Sequence, residues 1–255
     1  MKSEWQLKQE VVRICRMLHQ KNLIAATDGN ISVRLPGQKL LTTPSGVNKG
    51  FITEEQLIVV DLSGQVVEGQ GRPTSELEMH LLAHRLRPEI RAVLHAHPPL
   101  ATAFSIAGVS LEESILPEVV MSLRKIPTTA YATPTTPEVP EVIRELIRSH
   151  DALILARHGA LTVGRNLGDA YNKMEKLEHT ALVVLAARQL GEVRCLPQEE
   201  VHKLVCLAGE QGLGAQKVQV QVCEHCGQAL ALGPGEEERL RQLVREEMAR
   251  FLQDK

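Results

Sequence analysis

The spacing of apolar residues changes along the chain, and these changes divide it into predicted helices and strands. Residues 4–20 repeat apolar positions every three to four residues, as an amphipathic helix does, and "NLGDAYNKMEKLEHTALVVLAARQL" predicts a longer helix. "NISVRL" alternates instead, because Ile31, Val33 and Leu35 are apolar and the residues between them are polar. This period of two, entered from an Asp-Gly-Asn turn, predicts a strand.

Further strands and helices are predicted in irregular alternation. "KLLTT", "LIVVDLSGQVVEG", "IRAVLHAH" and "DALILARHGALTVG" predict strands, and "VPEVIRELIRS" predicts a helix. "RPTSELEMHLLAHRL" predicts a helix capped at Thr74 or Ser75, with Glu78 completing a capping box with Ser75. Pro98 and Pro99 are expected to stop the strand before them. The pattern predicts a layered α/β domain that ends near residue 210.

Composition excludes several classes of function. The formal net charge is -2, with basic residues scattered, and aromatic residues make up 2% of the chain, so we expect no nucleic-acid partner. No apolar run approaches the roughly 18 residues of a spanning helix, and the N-terminus lacks the features of a signal peptide. We therefore expect a cytoplasmic protein with no membrane partner. An odd count of five cysteines favours free thiols over a disulfide framework.

Histidines supply the candidate metal ligands. His95 and His97 are two apart at a strand end, so their rings lie on one face and can converge on a metal ion. His158, at the end of another apolar strand, is a candidate third ligand for a three-histidine zinc site. The alternative is that these histidines only cap strand ends. His80 and His84 form a rival pair at helical spacing, for which packing or hydrogen bonding is the favoured interpretation.

Three short polar loops are candidates for binding phosphate. "TDGN", "TPSG" and "PTSE" combine hydroxyl or amide side chains with Gly or Pro, and "PTSE" also opens a helix. Taken singly, such loops are usually plain turns, and the chain contains no Walker or dinucleotide motif. Glu76 follows the last of these loops, where it is either a catalytic base or a solvated residue of the first helical turn.

The order of these motifs resembles that of the class II aldolase/adducin family. "DGNISVR", "TPSG", "PTSE", "HAH", "YATP" and "RHGAL" follow one another over about residues 5–190 with the family's spacings. Each motif is weak alone, whereas the ordered set is specific. Within the family the chain looks most like the L-fuculose-phosphate aldolases.

This resemblance implies a fold, an assembly and a set of roles. The fold would be a three-layer α/β structure with a central, mainly antiparallel sheet flanked by helices, assembled as a homotetramer with active sites between subunits. Each subunit would bind one Zn²⁺. The implied zinc ligands are His95, His97 and His158; the implied phosphate-binding residues are Asn30, Ser45, Gly46, Thr74 and Ser75; and the implied catalytic residues are Glu76 and, from a neighbouring subunit, Tyr131.

The resemblance also implies a reaction, the reversible cleavage of a ketose 1-phosphate, of the fuculose 1-phosphate type, into dihydroxyacetone phosphate and an aldehyde such as lactaldehyde. Glu76, where related epimerases have Asp, favours the aldolase branch, and the three histidines distinguish the chain from adducin-like members. The aldolases have a further tyrosine in the C-terminal tail, which this chain lacks. An epimerase, dehydratase or decarboxylase of the superfamily, or a non-catalytic adducin-like binding protein, therefore remains an alternative.

The C-terminal part lies beyond the resemblance. We expect a class II aldolase domain over residues 1–212, a linker over 213–235 and an amphipathic helix over 236–255. Cys223 and Cys226 of "CEHC" have no second C-x-x-C motif to pair with, which favours free thiols over a zinc knuckle. The terminal helix either packs on the protein's own tetramer or, like encapsulation peptides, docks on a bacterial microcompartment shell.

Overall fold

A seven-stranded antiparallel sheet forms the centre of the protein. The computed structural model describes residues 2–210, and the strands follow the order β4-β3-β2-β1-β5-β7-β6 across the sheet. Every neighbouring pair of these strands is antiparallel. The strands are β1 Asn30–Leu35, β2 Lys39–Thr42, β3 Ile58–Asp61, β4 Val66–Glu68, β5 Ala92–Ala96, β6 Ala152–Leu155 and β7 Gly159–Gly164.

Helices cover both faces of this sheet. They are α1 Glu4–Gln20, α2 Leu77–Leu86, α3 Pro99–Ile106, α4 Pro117–Ser122, α5 Glu138–Ile143, α6 Leu167–Leu190 and α7 Gln198–Glu210. Single 3₁₀ turns occur at Glu54–Gln56 and Leu146–Arg148. The sequence-based expectation of a three-layer fold with a mainly antiparallel sheet is confirmed.

Alternation along the central strands divides the core between the two faces. On β5, Leu94 faces a large apolar core shared with α1, α3 and α6, whereas Val93 faces a second core shared with α2 and α5. On β1, Ile31, Val33 and Leu35 all belong to the first core. The polar residues of β1 must therefore face α2, because successive side chains of a strand point to opposite faces.

Several boundaries differ from those expected. The N-cap residue of α2 is Glu76, whose side chain makes no capping hydrogen bond, so the predicted capping box between Ser75 and Glu78 is wrong. The hydroxyl of Thr74, the other predicted cap, accepts from the Glu76 N–H at 3.3 Å. The Glu76 side chain turns instead toward Asn30 of β1. Pro98 and Pro99 do end β5, and they also begin α3, which the sequence did not predict. Proline is favoured in a first helical turn, where its missing N–H needs no partner.

Other elements were missed or merged at the sequence level. The helices α4 and α7 were not predicted, and the single helix expected in "VPEVIRELIRS" is α5 followed by a separate 3₁₀ turn. Among residues 2–210, no helix has the length and apolarity needed to cross a membrane. The predictions for Cys223, Cys226 and the helix over 236–255 lie outside the described residues.

Candidate metal centre and active site

Three histidine rings meet at one end of the sheet. The centroids of His95, His97 and His158 lie 4.8–4.9 Å apart in all three pairings, so the rings form a nearly equilateral triangle. One ligand atom from each lies within 4.8 Å of the others. His95 Nε2 and His97 Nε2 are 3.0 Å apart. Two imidazole nitrogens bound to one tetrahedral zinc ion lie about 3.3 Å apart, so this spacing fits a shared metal ion.

The backbone fixes each of these histidines. His95 is the fourth residue of β5 and pairs with Asn30 of β1 on one side and Leu161 of β7 on the other. His97 comes directly after β5, and its N–H donates to the carbonyl of Leu23. The end of β5 and this hydrogen bond therefore fix the backbone of His97 relative to His95.

His158 occupies the turn between β6 and β7, and Gly159 after it allows the histidines to approach closely. A Cβ atom at position 159 would clash with the Ala96 carbonyl oxygen and would lie 2.8 Å from His97 Cδ2. Because real Cβ atoms do not approach backbone oxygens so closely, only glycine fits between the two histidine-bearing segments.

Hydrogen bonds on the far side of the rings prepare Nε2 for a metal. His95 Nδ1 lies 2.9 Å from the carbonyl of Ala160, to which it must donate. That bond leaves the Nε2 lone pair free, as in most zinc-binding histidines. His97 Nδ1 faces Asp28 Oδ2 at 3.4 Å. Asp28 lies in the "TDGN" loop, and the sequence analysis gave it no role.

Glu76 closes the histidine cluster from the α2 side. Its Oε2 lies 3.2 Å from His95 Nε2 and accepts a hydrogen bond of 2.8 Å from Asn30 Nδ2. Its Oε1 lies 3.4 Å from His158 Nε2 and is buried without a hydrogen-bond partner. A buried carboxylate oxygen without a partner is costly. Its position beside three convergent imidazoles fits a site that takes a cation and a polar substrate.

The charges in the cluster depend on one another. Burial raises the pKa of Glu76, but His95 and the Asn30 amide outweigh it and hold that pKa below its ordinary value. Burial lowers the pKa of His95, yet Glu76 more than reverses this effect. Burial and His95 together lower the pKa of His97 to about 4 and also lower that of His158. The two outer rings are therefore neutral near pH 7, as metal ligation requires.

The three phosphate-type loops converge beside this cluster. Ser45 N donates to the Arg72 carbonyl and Thr74 N donates to the Thr43 carbonyl, so the "TPSG" and "PTSE" loops run side by side. Gly46 has φ +73°, a conformation that favours glycine. Ser45, Gly46 and Ser75 are exposed, whereas Thr74 and Asn30 are buried. The structure thus places the "TPSG" and "PTSE" loops next to each other, and the assignment of these five residues to phosphate stays a prediction.

Lys49 holds two of these loops together, which the sequence gave no reason to expect. Its ammonium is buried and donates to the carbonyls of Thr27 and Val47, each at 2.8 Å. Burial lowers its pKa. A lone lysine near a Gly-rich turn carries no pattern that predicts burial, so only the fold could identify this contact.

Tyr131 lies apart from the cluster. Its side chain is 60% exposed, on the segment that follows the pairing of Thr128 with Ile154 at the sheet edge. Among the described residues, no hydrogen bond or ion pair connects it to the histidines or to Glu76. The catalytic role that the resemblance gives Tyr131, from a neighbouring subunit, stays a prediction.

The fold and the site together define a class of protein, and comparison with known proteins agrees with it. The model of the class II aldolase and adducin N-terminal domain matches residues 9–185, and this chain belongs to that family. Class II aldolases are metal-dependent. The chain is thus an enzyme of the class II aldolase superfamily, an aldolase or a decarboxylase.

Relatives of two activities resemble the chain. L-fuculose phosphate aldolase of Methanococcus maripaludis is 37% identical over 172 residues, which are 68% of this chain and 92% of that protein. The 3-oxo-tetronate 4-phosphate decarboxylase of Pectobacterium atrosepticum is 32% identical over 208 residues, which are 79% of this chain and 94% of that protein. A solved L-fuculose 1-phosphate aldolase structure superposes with a TM-score of 0.75 at 32% identity, covering 81% of this chain and 97% of the other.

Proposed function

We propose that the protein is a zinc-dependent class II aldolase that reversibly cleaves a ketose 1-phosphate, of the fuculose 1-phosphate type, into dihydroxyacetone phosphate and an aldehyde. The observation that carries this proposal is the position of Glu76 Oε1, buried without a hydrogen-bond partner beside the triangle of His95, His97 and His158. This arrangement presents three imidazole nitrogens and one carboxylate to the same small volume.

The reaction requires a site that stabilises an enediolate. Breaking the C3–C4 bond of a ketose 1-phosphate leaves the bonding electrons on the three-carbon fragment, and the proton of the C4 hydroxyl must be removed. A Zn²⁺ ion held by His95, His97 and His158 would supply Lewis-acid stabilisation of that negative charge. The side chains of the chain must then bind the phosphate and move two protons.

Glu76 is the residue placed to protonate carbon. Oε2 is held by Asn30, so Oε1 is the oxygen available to exchange a proton with C3 of the enediolate. Protonation at C3 completes dihydroxyacetone phosphate and leaves Glu76 as the carboxylate, which takes up one proton from solvent in each turnover and so balances the proton released from the C4 hydroxyl. Tyr131 of a neighbouring subunit is proposed to take the proton of the C4 hydroxyl, in keeping with its exposure in the single chain.

The loops at Ser45–Gly46 and Thr74–Ser75 are proposed to bind the phosphate. Their hydroxyl groups and the N–H groups of Gly46 and Ser75 are the proposed donors to the phosphate dianion, since the Ser45 and Thr74 N–H groups already donate to backbone carbonyls. The side-chain amide of Asn30 donates one N–H to Glu76, and its oxygen accepts from His80. Its second N–H is therefore left for substrate.

The second candidate is decarboxylation of a 3-oxo acid phosphate, favoured by the decarboxylase relative that matches 79% of this chain. Loss of CO₂ from 3-oxo-tetronate 4-phosphate breaks the C1–C2 bond and leaves the bonding electrons on C2, next to the C3 carbonyl group. It leaves the same enediolate of dihydroxyacetone phosphate as aldol cleavage does. The site therefore suits both reactions, and only the group that departs differs.

Product analysis distinguishes the candidates. The purified protein with Zn²⁺ would be given fuculose 1-phosphate, rhamnulose 1-phosphate or 3-oxo-tetronate 4-phosphate in parallel. We expect dihydroxyacetone phosphate and lactaldehyde from a ketose 1-phosphate. Dihydroxyacetone phosphate with CO₂ from the third substrate alone would favour the decarboxylase. A ketose phosphate isomer, or a dehydrated product without three-carbon fragments, would overturn both in favour of an epimerase or a dehydratase.

A further inference from the structure

A continuous row of buried hydrogen bonds runs between β1 and α2 and ends on Glu76. Polar residues at every second position of β1 interleave with polar residues at every fourth position of α2. In order along the row, the residues are Glu76, Asn30, His80, Ser32, His84 and Arg34. We call this set the polar row. Ser32, His80 and His84 are essentially inaccessible to solvent.

The geometry of the two elements explains why the row is continuous. Four residues of helix rise about 6.0 Å, and two residues of strand rise about 6.8 Å. Glu76, His80 and His84 on the helix therefore advance in step with the alternate residues of β1. As a result, Asn30 lies between Glu76 and His80, and Ser32 lies between His80 and His84.

The hydrogen bonds of the row run in one direction. Asn30 Nδ2 donates to Glu76 Oε2, so the Asn30 carbonyl oxygen is the acceptor for His80 Nε2–H. His80 Nδ1 must then accept from the Ser32 hydroxyl, at 2.8 Å. Ser32 Oγ in turn accepts from His84 Nε2–H at 3.0 Å.

Arg34 closes the far end of the row. Its guanidinium donates to the His84 carbonyl at 2.6 Å and lies 3.4 Å from His84 Nδ1. Since a guanidinium only donates, His84 Nδ1 can only accept. Both histidines are therefore neutral with the proton on Nε2. Burial agrees with this state, since it lowers the pKa of His80 to about 3 and that of His84 well below its ordinary value.

We propose that the polar row is a positioning device for the reaction of Glu76: it holds Oε2 against Asn30, beside His95, so that Oε1, which lies beside His158 without a hydrogen-bond partner, is the oxygen left to face the substrate. The catalytic part of this proposal rests on the proposed function, since it requires Glu76 to act on substrate. His80, Ser32 and His84 are positioning residues, because none contacts the histidine cluster by a hydrogen bond. Neither His80 nor His84 serves as a metal ligand, because the row occupies both nitrogens of each ring.

The direction of the row is testable without substrate. Long-range ¹⁵N–¹H correlation spectra of the zinc-loaded, histidine-labelled protein report the tautomer of each ring. His80→Gln and His84→Gln variants assign the two signals. We expect both rings to be neutral and protonated on Nε2 between pH 6 and 8. A ring protonated on Nδ1, or on both nitrogens, would overturn the row.

The positioning role is tested by removing the central link. We expect Ser32→Ala to lower kcat about tenfold to a hundredfold, the usual effect of removing a supporting hydrogen bond, with KM and zinc content little changed. Deuterium exchange at the carbon of dihydroxyacetone phosphate that loses a proton should slow by a similar factor. A crystal structure of Ser32→Ala should show the Glu76 carboxylate displaced from Asn30.

Two further variants separate positioning from general stability. Thr162 is a buried hydroxyl residue of β7 that donates to the Ala170 carbonyl on the opposite face of the sheet. Thr162→Val should destabilise the protein about as much as Ser32→Ala and leave kcat unchanged. His80→Gln, whose amide can both donate and accept, should retain most of the activity that His80→Leu loses.

The outcomes distinguish the row from the proposed function. Equal kcat values in Ser32→Ala and Thr162→Val, or an unmoved Glu76 carboxylate, would overturn the positioning role. If the wild-type protein acts on none of the three phosphates, the proposed function fails. In that case the tautomers and the position of Glu76 in Ser32→Ala still decide whether the row holds the carboxylate.

Discussion

The Arg87 guanidinium and the Asp151 carboxylate form a buried ion pair, with 2.7 Å between Nη1 and Oδ1. Arg87 caps the C-terminus of α2 on one face of the sheet. The second oxygen of Asp151 accepts from Lys173 of α6, on the other face, at 2.8 Å. One carboxylate beside the edge strand β6 therefore connects all three layers of the fold.

Replacing this carboxylate should destabilise the fold. Asp151→Asn removes the buried carboxylate that Arg87 and Lys173 share and leaves them only the more exposed Glu89 and Asp169 as counter-charges. We expect the free energy of unfolding, measured in urea, to fall by about 3 kcal/mol. Zinc content at saturating metal should be unchanged, because the histidines lie at other positions of the sheet. A loss of less than 1 kcal/mol would show that this ion pair is not an important constraint.

Gly159→Ala should damage the metal centre through its backbone. The new Cβ would meet the Ala96 carbonyl and the His97 ring, so β5 and β7 must separate or His97 must turn away. We expect zinc affinity to fall at least tenfold, measured by competition with a chromophoric chelator. Gly209→Ala is the control, since a Cβ there meets nothing within 4 Å. Equal affinities in the two variants would contradict the role given to Gly159.

Removal of the metal should abolish turnover and spare the fold. We expect one Zn²⁺ per chain by elemental analysis, loss of activity after chelation and recovery on adding zinc. His95→Ala should lose the metal while keeping a folded circular-dichroism spectrum. A metal-free wild-type protein with full activity would exclude a metal-dependent reaction.

Glu76→Gln should separate chemistry from metal binding. The amide keeps the shape of the side chain but cannot exchange a proton with carbon, so we expect kcat to fall by about 10² to 10⁴ at unchanged zinc content. Glu78→Gln, on the same helix but largely exposed, should retain wild-type kcat. Comparable losses in both variants would argue for an electrostatic effect of the helix rather than for proton transfer by Glu76.

His84 should give the protein part of its sensitivity to acid. Its folded-state pKa is lowered by burial, then by Arg34 and His80, whereas in the unfolded chain it titrates near its ordinary value of 6.5. The unfolded state therefore binds more protons below pH 6.5, and stability falls as the pH falls. The expected contribution is about 1.4 kcal/mol per pH unit for one histidine.

The measurement is the free energy of unfolding of wild type and His84→Gln between pH 5 and 7.5, at one metal occupancy. The groups that face His84 are Arg34 and His80, and both remain in the variant. The variant should show the smaller slope below pH 6.5. Parallel curves would mean that His84 is protonated in the folded protein.

The sequence predicted much of this architecture because its periods are clear. The alternation of apolar and polar residues in "NISVRL" was sufficient to place β1, and the long stretch of helical spacing in residues 166–190 was sufficient to place α6. Contacts between side chains that are distant in sequence were harder to predict. His95 and His97 could be paired by their spacing, but Asp28 and Lys49 act through contacts that join segments distant in sequence. Nothing local distinguishes a buried lysine from an exposed one.

The α2 region shows the limit most clearly. Its start contains the residues of a capping box, and the local rule predicted one at Ser75 and Glu78. The structure instead places Glu76 at the N-cap and directs its carboxylate into the site. A tertiary contact with Asn30 outweighed a local preference, as happens at functional sites.

The alternation of β1 has a consequence for folding fidelity. In many antiparallel sheets the polar face of a strand meets water, so only the apolar face specifies the register of pairing. Here both faces are covered, and a slip of one residue would put Ile31 and Val33 against the imidazoles of α2 and bury Ser32 among aliphatic side chains. Each donor left unpaired would cost about 1–3 kcal/mol. The same side chains that orient the carboxylate thus also select the register of the central strand, so errors in strand pairing are disfavoured before any substrate binds.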